Sequence, residues 1–469
     1  MNPTISRIPR HATGAAGHDL RHVGCSPWLA QLGELLAFPT VSAQPRHRAD
    51  IGAAAHWLAG HLATIGLHRA WVLPGEHGGA PSVYGEWLLA PGKPTLLLYG
   101  HYDVQPAEPL AQWRTPPFEA TISGDYLYAR GASDDKGQLF IQLKAIESLL
   151  TTTGRLPLNV KVWLEGEEEI GSPNLGAFLA RRGELLRADA VLVSDTEMPS
   201  PGRPAIVYGL RGTLACTLEV CGPSRELHSG RYGGAVLSPL QALCRIIAGL
   251  HDGRGRVAIP GFYRQVRPVS QDERTQLRRD GPSDRQLLAG LGLRSGWGEA
   301  GYTARERSTI RPALTVSGLS GGYGGPGGKA VIPERARAQL DLRLVPDQDP
   351  DRIAWLLRRH LAAVTPPAVR SRLTIGGGSR PVLFSRDHPA TVAAARAVER
   401  TWGVPPVFVR SGGSIPLVEG LQRRLGLTAV LLGFGLPDDA IHAANERIHL
   451  PTFFRGIETV KEFLQEYGR

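Results

Sequence analysis

The chain has 469 residues, 42% of them hydrophobic and 20% charged, with a formal net charge of +10. That length exceeds what a single hydrophobic core fills, so two domains are expected, and the composition excludes an intrinsically disordered or collagen-like chain. No apolar stretch approaches the roughly twenty residues of a membrane span, and the arginine-derived charge lacks the aromatic interleaving of a nucleic-acid groove; neither membrane nor nucleic acid is expected as a partner.

In chain order, residues 1–25 carry early Arg and His without a continuous apolar core or a cleavage site, which argues against a secretory signal and for a flexible tail. From Pro27 to Gly66 apolar residues recur at helical spacing, through Leu29, Leu32, Leu35, Leu36, Leu58 and Leu62. Strands and helices then alternate to about Asp195, with a helix after Gly137 between two apolar runs, the rhythm of a parallel sheet. At Gly209 the pattern changes. Thr213 to Val220 alternates apolar and polar residues, as a strand wetted on one face does. A helix near Leu237 to Leu250, an Arg-rich stretch to Arg311, a strand at Ala336 to Leu344, a helix at Asp351 to Val364 and a strand at Arg370 to Ile375 complete an α+β pattern. A helix at Pro389 to Trp402 and a strand at Leu427 to Phe434 resume the α/β character. The expected architecture is an α/β catalytic domain of residues 26–208 and 384–469, with a mostly parallel sheet flanked by helices, and an α+β domain inserted at 209–383. The glycine-rich run Ser317 to Gly328 lacks the Gly-Lys-Ser/Thr ending of a phosphate loop and reads as a turning loop between domains. The four cysteines, Cys25, Cys216, Cys221 and Cys244, are too sparse for a disulfide scaffold, which suits a cytoplasmic protein.

Metal-competent side chains sit just beyond the apolar runs. Thr95 to Tyr99 leads into His101 and Asp103, Asn159 to Leu164 into Glu167, Glu168 and Glu169, Ala190 to Val193 into Asp195, and Leu427 to Phe434 into His442. In an open parallel sheet, residues beyond the carboxyl ends of the strands converge in one crevice. Each has an ordinary alternative: Asp134 and Asp135 precede a helix and suit its N-terminus, the three glutamates suit a solvated acidic loop, Asp195 a turn, and His442 a surface position. Their joint occurrence points to a ligand set for two zinc ions, with manganese or cobalt as substitutes.

The ordered series G-H-Y-D-V at Gly100 to Val104, G-A-S-D-D-K-G at Gly131 to Gly137, E-G-E-E-E-I-G-S at Glu165 to Ser172, S-D at Ser194 to Asp195 and H-A-A-N-E at His442 to Glu446 resembles the co-catalytic dizinc peptidases. That family includes carnosinases, cytosolic dipeptidases, glutamate carboxypeptidases, aminoacylases and succinyl-diaminopimelate desuccinylase; the likeness spans roughly residues 28 to 465 and is nearest the dipeptidase and carnosinase branch. The resemblance implies that Asp134 bridges the metals, that His101 and Asp195 complete one site and Glu169 and His442 the other, that Asp103 orients His101, and that Glu168 is the general base. A cis peptide at Asp134-Asp135 is also implied. It further makes the inserted domain a lid and dimerisation domain, with His228 of L-H-S-G-R-Y-G-G stabilising an oxyanion and Arg343 and Ser414 binding the substrate's carboxylate. One departure stands out: Ala330 precedes V-I-P where these dipeptidases often carry a hydroxyl.

The implied activity is hydrolysis of a peptide bond in dipeptides or short peptides with a free C-terminal carboxylate by a homodimer, a water between two metals losing its proton to Glu168. An amidohydrolase that removes an acyl or carbamoyl group from an amino acid would use the same metals and base. A binding protein that has lost catalysis would not need Glu168.

Overall fold

The computed structural model describes residues 26–469 together with the strand Ser6–Arg7. Apart from that strand, the expected tail of residues 1–25, Cys25 included, lies outside the described residues. The chain divides into two compact units, one of Met1–Tyr208, Phe384–Val409 and Gly420–Arg469, the other of Gly209–Leu383 and Arg410–Glu419. Residues 410–419 therefore group with the second unit. Two bonds there tie them in: the Arg211 N–H donates to the Gly413 carbonyl at 3.1 Å and Arg211 Nε to the Gly412 carbonyl at 3.0 Å.

The large sheet of the first unit includes the strands Arg69–Leu73, Ser82–Trp87, Thr95–His101, Asn159–Glu165, Ala190–Val193, Ala205–Leu210 and Thr428–Leu431. The Thr428, Ala190, Thr95 and Asn159 strands lie side by side and parallel. They are buried over nearly their whole length, which is why they read as continuous apolar runs rather than alternating ones. Toward the edges the pairing turns antiparallel, Ser82–Trp87 joining Asn159–Glu165 and Arg69–Leu73, and Val207 pairing with Leu431. The sheet is thus mixed, with a parallel centre, rather than mostly parallel throughout. For the Arg69 and Ser82 strands the reason is local: residues 74–81 alone join them, too few for the crossover that parallel neighbours require.

The helices Pro27–Leu36, Arg48–Thr64, Lys136–Thr153, Pro389–Trp402 and Leu450–Tyr467 supply most of the remaining core, with Leu32, Leu58, Ile141, Ala394, Phe453 and Phe463 all inaccessible. Lys136–Thr153 packs closely on the Thr95 strand. A Cβ on Gly100 would stand 2.5 Å from Cβ of Leu139 and 2.9 Å from Asp135 Oδ2, so glycine immediately before His101 is what lets this helix start there.

The second unit has a four-stranded antiparallel sheet in the order Ala313–Gly321, Arg335–Leu344, Gly212–Cys221, Arg370–Ser379. Leu214, Cys216, Leu218 and Val220 alternate inward with Ala336, Ala338, Leu340 and Leu342, and this face is covered by the helices Pro239–Ala248 and Pro350–Val364. The glycine-rich run differs from its sequence reading. Ser317 to Gly321 are strand, paired along Arg335–Leu344, and only the residues after them form an exposed connection, within this unit and not between domains. The Arg-rich stretch holds three short helices, Gln271–Asp280, Asp284–Gly290 and Ala304–Thr309, each with a serine or threonine cap. No helix among the described residues is long and apolar enough to cross a membrane.

Candidate metal centre

Four parallel strands deliver the candidate ligands to one end of the sheet in the first unit. His101 is the last residue of its strand, Glu168 and Glu169 follow the Asn159 strand, Asp195 stands two residues past Val193, and His442 lies in the segment after Leu431. Asp134 precedes the helix Lys136–Thr153, which packs on the Thr95 strand. The ligand atoms fall into two groups that share one residue, His101 with Asp134 and Asp195, and Asp134 with Glu169 and His442, all atoms of a group within 4.8 Å of one another.

Asp134 divides its two oxygens between the groups. Its Oδ1 is 3.1 Å from Nε2 of His101, and its Oδ2 is 2.8 Å from Nε2 of His442. Asp195 Oδ2 lies 4.0 Å from His101 Nε2, and Glu169 Oε2 lies 3.2 Å from His442 Nε2. His101 turns its other nitrogen away from the group, Nδ1 standing 3.1 Å from the Asp103 carbonyl and 3.4 Å from its carboxylate, which selects the ring face offered inward. The peptide Asp134-Asp135 is cis, as the resemblance implies.

The electrostatics record a crowd of anions. Burial and the charge of Asp134 push the Asp195 carboxyl up to about 7. Burial raises Glu168 to about 8, with Asp195 and Glu169 adding to the rise against the pull of His101. Burial would raise Asp134 too, yet hydrogen bonds from the two imidazoles hold it below the ordinary carboxylate range. His442 moves the opposite way, its bonds to Asp134 and Glu169 raising it to about 10. Two imidazoles among carboxylates that repel one another form a donor set suited to divalent cations, which would relieve that repulsion.

Further contacts hold this arrangement; of the residues that make them, the sequence singled out Asp103 alone, and for His101 rather than for Glu168 and Glu169. Asp103 Oδ1 and Oδ2 accept the N–H groups of Glu168 and Glu169 at 3.1 and 3.0 Å. Gln105 Nε2 donates to Glu169 Oε2 at 2.9 Å, and Asp135 Oδ2 accepts the His101 N–H at 3.1 Å. Ser133 donates through Oγ to buried Asp439 at 2.8 Å, and the Leu436 N–H reaches the same oxygen at 2.7 Å. Glu446 binds the turn before Asp134. Asp135 and Glu446 stood inside the quoted motifs, so their position was visible; Gln105 and Asp439 carried no signal beyond proximity.

The remaining expected residues belong to the second unit. His228 is exposed and pairs in register with Val331, and its Nδ1 accepts the Gly230 N–H at 3.0 Å. The Ser229 N–H donates to the Ala330 carbonyl at 3.0 Å, so the departure at residue 330 adjoins His228. Arg343 is partly exposed and donates through Nε to Asp341 at 3.2 Å, and the Ser414 hydroxyl donates to the Arg211 carbonyl.

The sequence profile of peptidase family M20/M25/M40 matches residues 97–466. The Cys-Gly metallodipeptidase of Candida albicans is 31% identical over 464 residues, covering 94% of this chain and 95% of that protein. The Beta-Ala-His dipeptidase of Mus musculus is 30% identical over 388 residues, 81% of this chain and 78% of the relative. Among solved structures, an M20 family metallo-carboxypeptidase from Sulfolobus solfataricus superposes with a TM-score of 0.84 at 34% identity, covering 94% of this chain and 99% of its own.

Proposed function

The chain belongs to peptidase family M20/M25/M40 and is a metallopeptidase that hydrolyses dipeptides, and from that premise we propose that His101, Asp134, Glu169, Asp195 and His442 hold two zinc ions, manganese or cobalt serving as substitutes, with Glu168 as general base. The observation that carries this reading is the division of the Asp134 carboxylate, one oxygen toward each imidazole. When bound, the ions supply Lewis acidity, making water a better acid and the scissile carbonyl a better electrophile.

The chain's own groups do the rest. Asp103 accepts the backbone N–H groups of Glu168 itself and of Glu169, which fixes the main chain that carries the base beside the ligand cluster. There Glu168 takes a proton from the attacking water and returns it to the leaving amine. Asp103 keeps His101 in one ring orientation. In the second unit, His228 uses its free Nε2 to stabilise the developing oxyanion, and Arg343, with Ser414, binds the free carboxylate of the substrate. A guanidinium suits that task because its fork matches a carboxylate through two parallel bonds. The enzyme acts as a cytoplasmic homodimer through its second unit. The L-H-S-G-R-Y-G-G motif supports the dimer, and the free thiols of Cys216, Cys221 and Cys244 among the described residues accord with a reducing compartment.

The test is a product analysis. Protein stripped by a chelator and reloaded with zinc, manganese or cobalt is given a panel of dipeptides and N-acyl amino acids. Release of two amino acids, lost on chelation and restored by metal, is expected. Turnover confined to the N-acyl substrates would replace the dipeptidase reading with the deacylase one.

A further inference from the structure

The H-A-A-N-E run contributes more than its histidine. Glu446 has no exposed surface, and both of its oxygens are filled by donors. Oε1 accepts the N–H groups of Ser133 and Asp134, each at 3.0 Å, while Oε2 accepts Arg130 Nη1 at 2.7 Å and the Gly131 N–H at 2.9 Å. Three of these donors are amides of the turn that presents Asp134. The fourth, Arg130, is itself fixed, its Nη2 donating to the Pro106 carbonyl at 3.1 Å and its guanidinium lying over the Trp113 ring at 5.3 Å.

The main chain runs along the same seam. The Ala129 N–H donates to the Glu446 carbonyl at 3.1 Å, and Arg447–His449 pairs antiparallel with Tyr126–Tyr128. Asn445 bonds twice across it, accepting from the Arg114 N–H at 2.8 Å and donating to the Gln112 carbonyl at 2.9 Å. His442 begins this segment with φ at +59°, in the left-handed region that non-glycine residues seldom occupy. Without such anchoring, a turn of that kind would relax to ordinary backbone angles.

We propose that Glu446 is a positioning residue: by gripping the amides around Asp134 from the segment that carries His442, it sets the Asp134 carboxylate against the His442 imidazole before any metal is bound. The proposal rests on the reading of Asp134 and His442 as metal ligands. Glu446 acts through Asp134 and need touch neither substrate nor metal. Its chemistry is specific to a carboxylate. Glutamine has one acceptor oxygen, so its amide nitrogen must face either the Ser133 and Asp134 N–H groups or Arg130 and the Gly131 N–H, donors meeting a donor in both cases.

Hydrogen exchange on the full-length wild-type protein, stripped of metal and then reloaded with zinc, tests the grip without any substitution. The amides of Gly131, Ser133 and Asp134 are expected to be protected in both states to within about threefold. Protection that arises only on adding zinc overturns the proposal, since the metal would then order the turn. In Glu446→Gln, zinc affinity is expected to fall by about 10- to 100-fold, with kcat recovered at saturating zinc and KM unchanged. A folded variant with lower thermal stability but wild-type zinc affinity also overturns it, because the role would then be structural. If that variant does not fold, the exchange result decides alone. His442→Ala separates the two readings: an undiminished zinc content there removes the ligand assignment on which the proposal rests, whatever the exchange shows.

Discussion

Asp103 lies behind His101, its Oδ1 3.4 Å from Nδ1 of the imidazole, and the same carboxylate accepts the N–H groups of Glu168 and Glu169 at 3.1 and 3.0 Å. One side chain thus aligns His101 at one strand end with Glu168 and Glu169 beyond the next, the proposed ligands and base. Asp103→Asn keeps the shape but exchanges one acceptor for a donor, which must face either the imidazole or an amide. Zinc affinity is expected to drop about 10- to 100-fold, as is usual when the partner behind a metal-binding imidazole is lost. Titration calorimetry on the stripped protein measures it, and an unchanged isotherm would remove Asp103 from this role.

Glu168 follows the Asn159 strand but is not one of the residues in either ligand group. Glu168→Gln is therefore expected to retain its metal while kcat falls by about 10²- to 10⁴-fold, the range attributed to a general base. Metal content by mass spectrometry beside initial rates checks both halves of the statement. Near-normal turnover in a metal-loaded variant would reassign the base.

Arg343 makes a single bond to Asp341 and its side chain is partly exposed. Arg343→Lys preserves the charge but loses the fork, and KM for dipeptides is expected to rise about tenfold or more with a smaller change in kcat. Substrates whose terminal carboxylate is blocked as an amide should lose most of the difference between wild type and variant. If blocked and free substrates respond alike, Arg343 does not read the carboxylate.

Gly100 admits no Cβ, because the helix beginning at Lys136 approaches to 2.5 Å of the position where one would be. Gly100→Ala is expected to destabilise the protein by about 1–3 kcal/mol, the usual cost of overpacking. It should also lower metal affinity, since the same Cβ would press on Asp135, which holds the His101 N–H. Urea denaturation with the metal removed isolates the packing effect; a midpoint equal to that of the wild type would contradict it.

His61 provides a pH dependence remote from the ligands. It is buried between the rings of Trp57 and Phe140, at 4.9 and 5.4 Å, and lies 3.1 Å from Nζ of Lys144. Burial, with the charge of Lys144, lowers its pKa from 6.5 to about 3. Because the folded value is the lower one, the unfolded chain takes up the extra proton between those two values, so this contribution to stability is complete above pH 6.5 and declines as the pH falls through the window. Between about pH 7.5 and about pH 5 the stability advantage of wild type over His61→Gln should shrink by about 2 kcal/mol. Parallel denaturation curves at the two pH values test this; an equal difference at both would mean that His61 is not kept neutral by the fold.

Much of the clustering was legible because parallel strands buried on both faces leave long apolar runs, and a metal-competent side chain placed just after such a run is conspicuous. His101 after Thr95 to Tyr99 and Asp195 after Ala190 to Val193 are of this kind. The antiparallel edge at Arg69 and Ser82 was not legible, since two short strands joined by a turn lack a period long enough to reveal their pairing. The same holds for Gln105 and Asp439, polar residues whose partners are distant in sequence and whose burial no local pattern announces.

Residue order alone determined the chemical inventory: which side chains able to bind metal follow which strands, the alternation that separates a wetted sheet from a buried one, and the family to which the motifs belong. These are local properties, set by side-chain type and spacing along one chain. Tertiary structure alone decided that Asp134 offers a different oxygen to each imidazole, that Asp103 serves two neighbouring strand ends, and that Glu446 closes on the turn before Asp134. Each depends on segments remote in sequence meeting at hydrogen-bond distance. That distance is set by how helices and strands pack against the whole core and leaves no periodic trace in the order of residues.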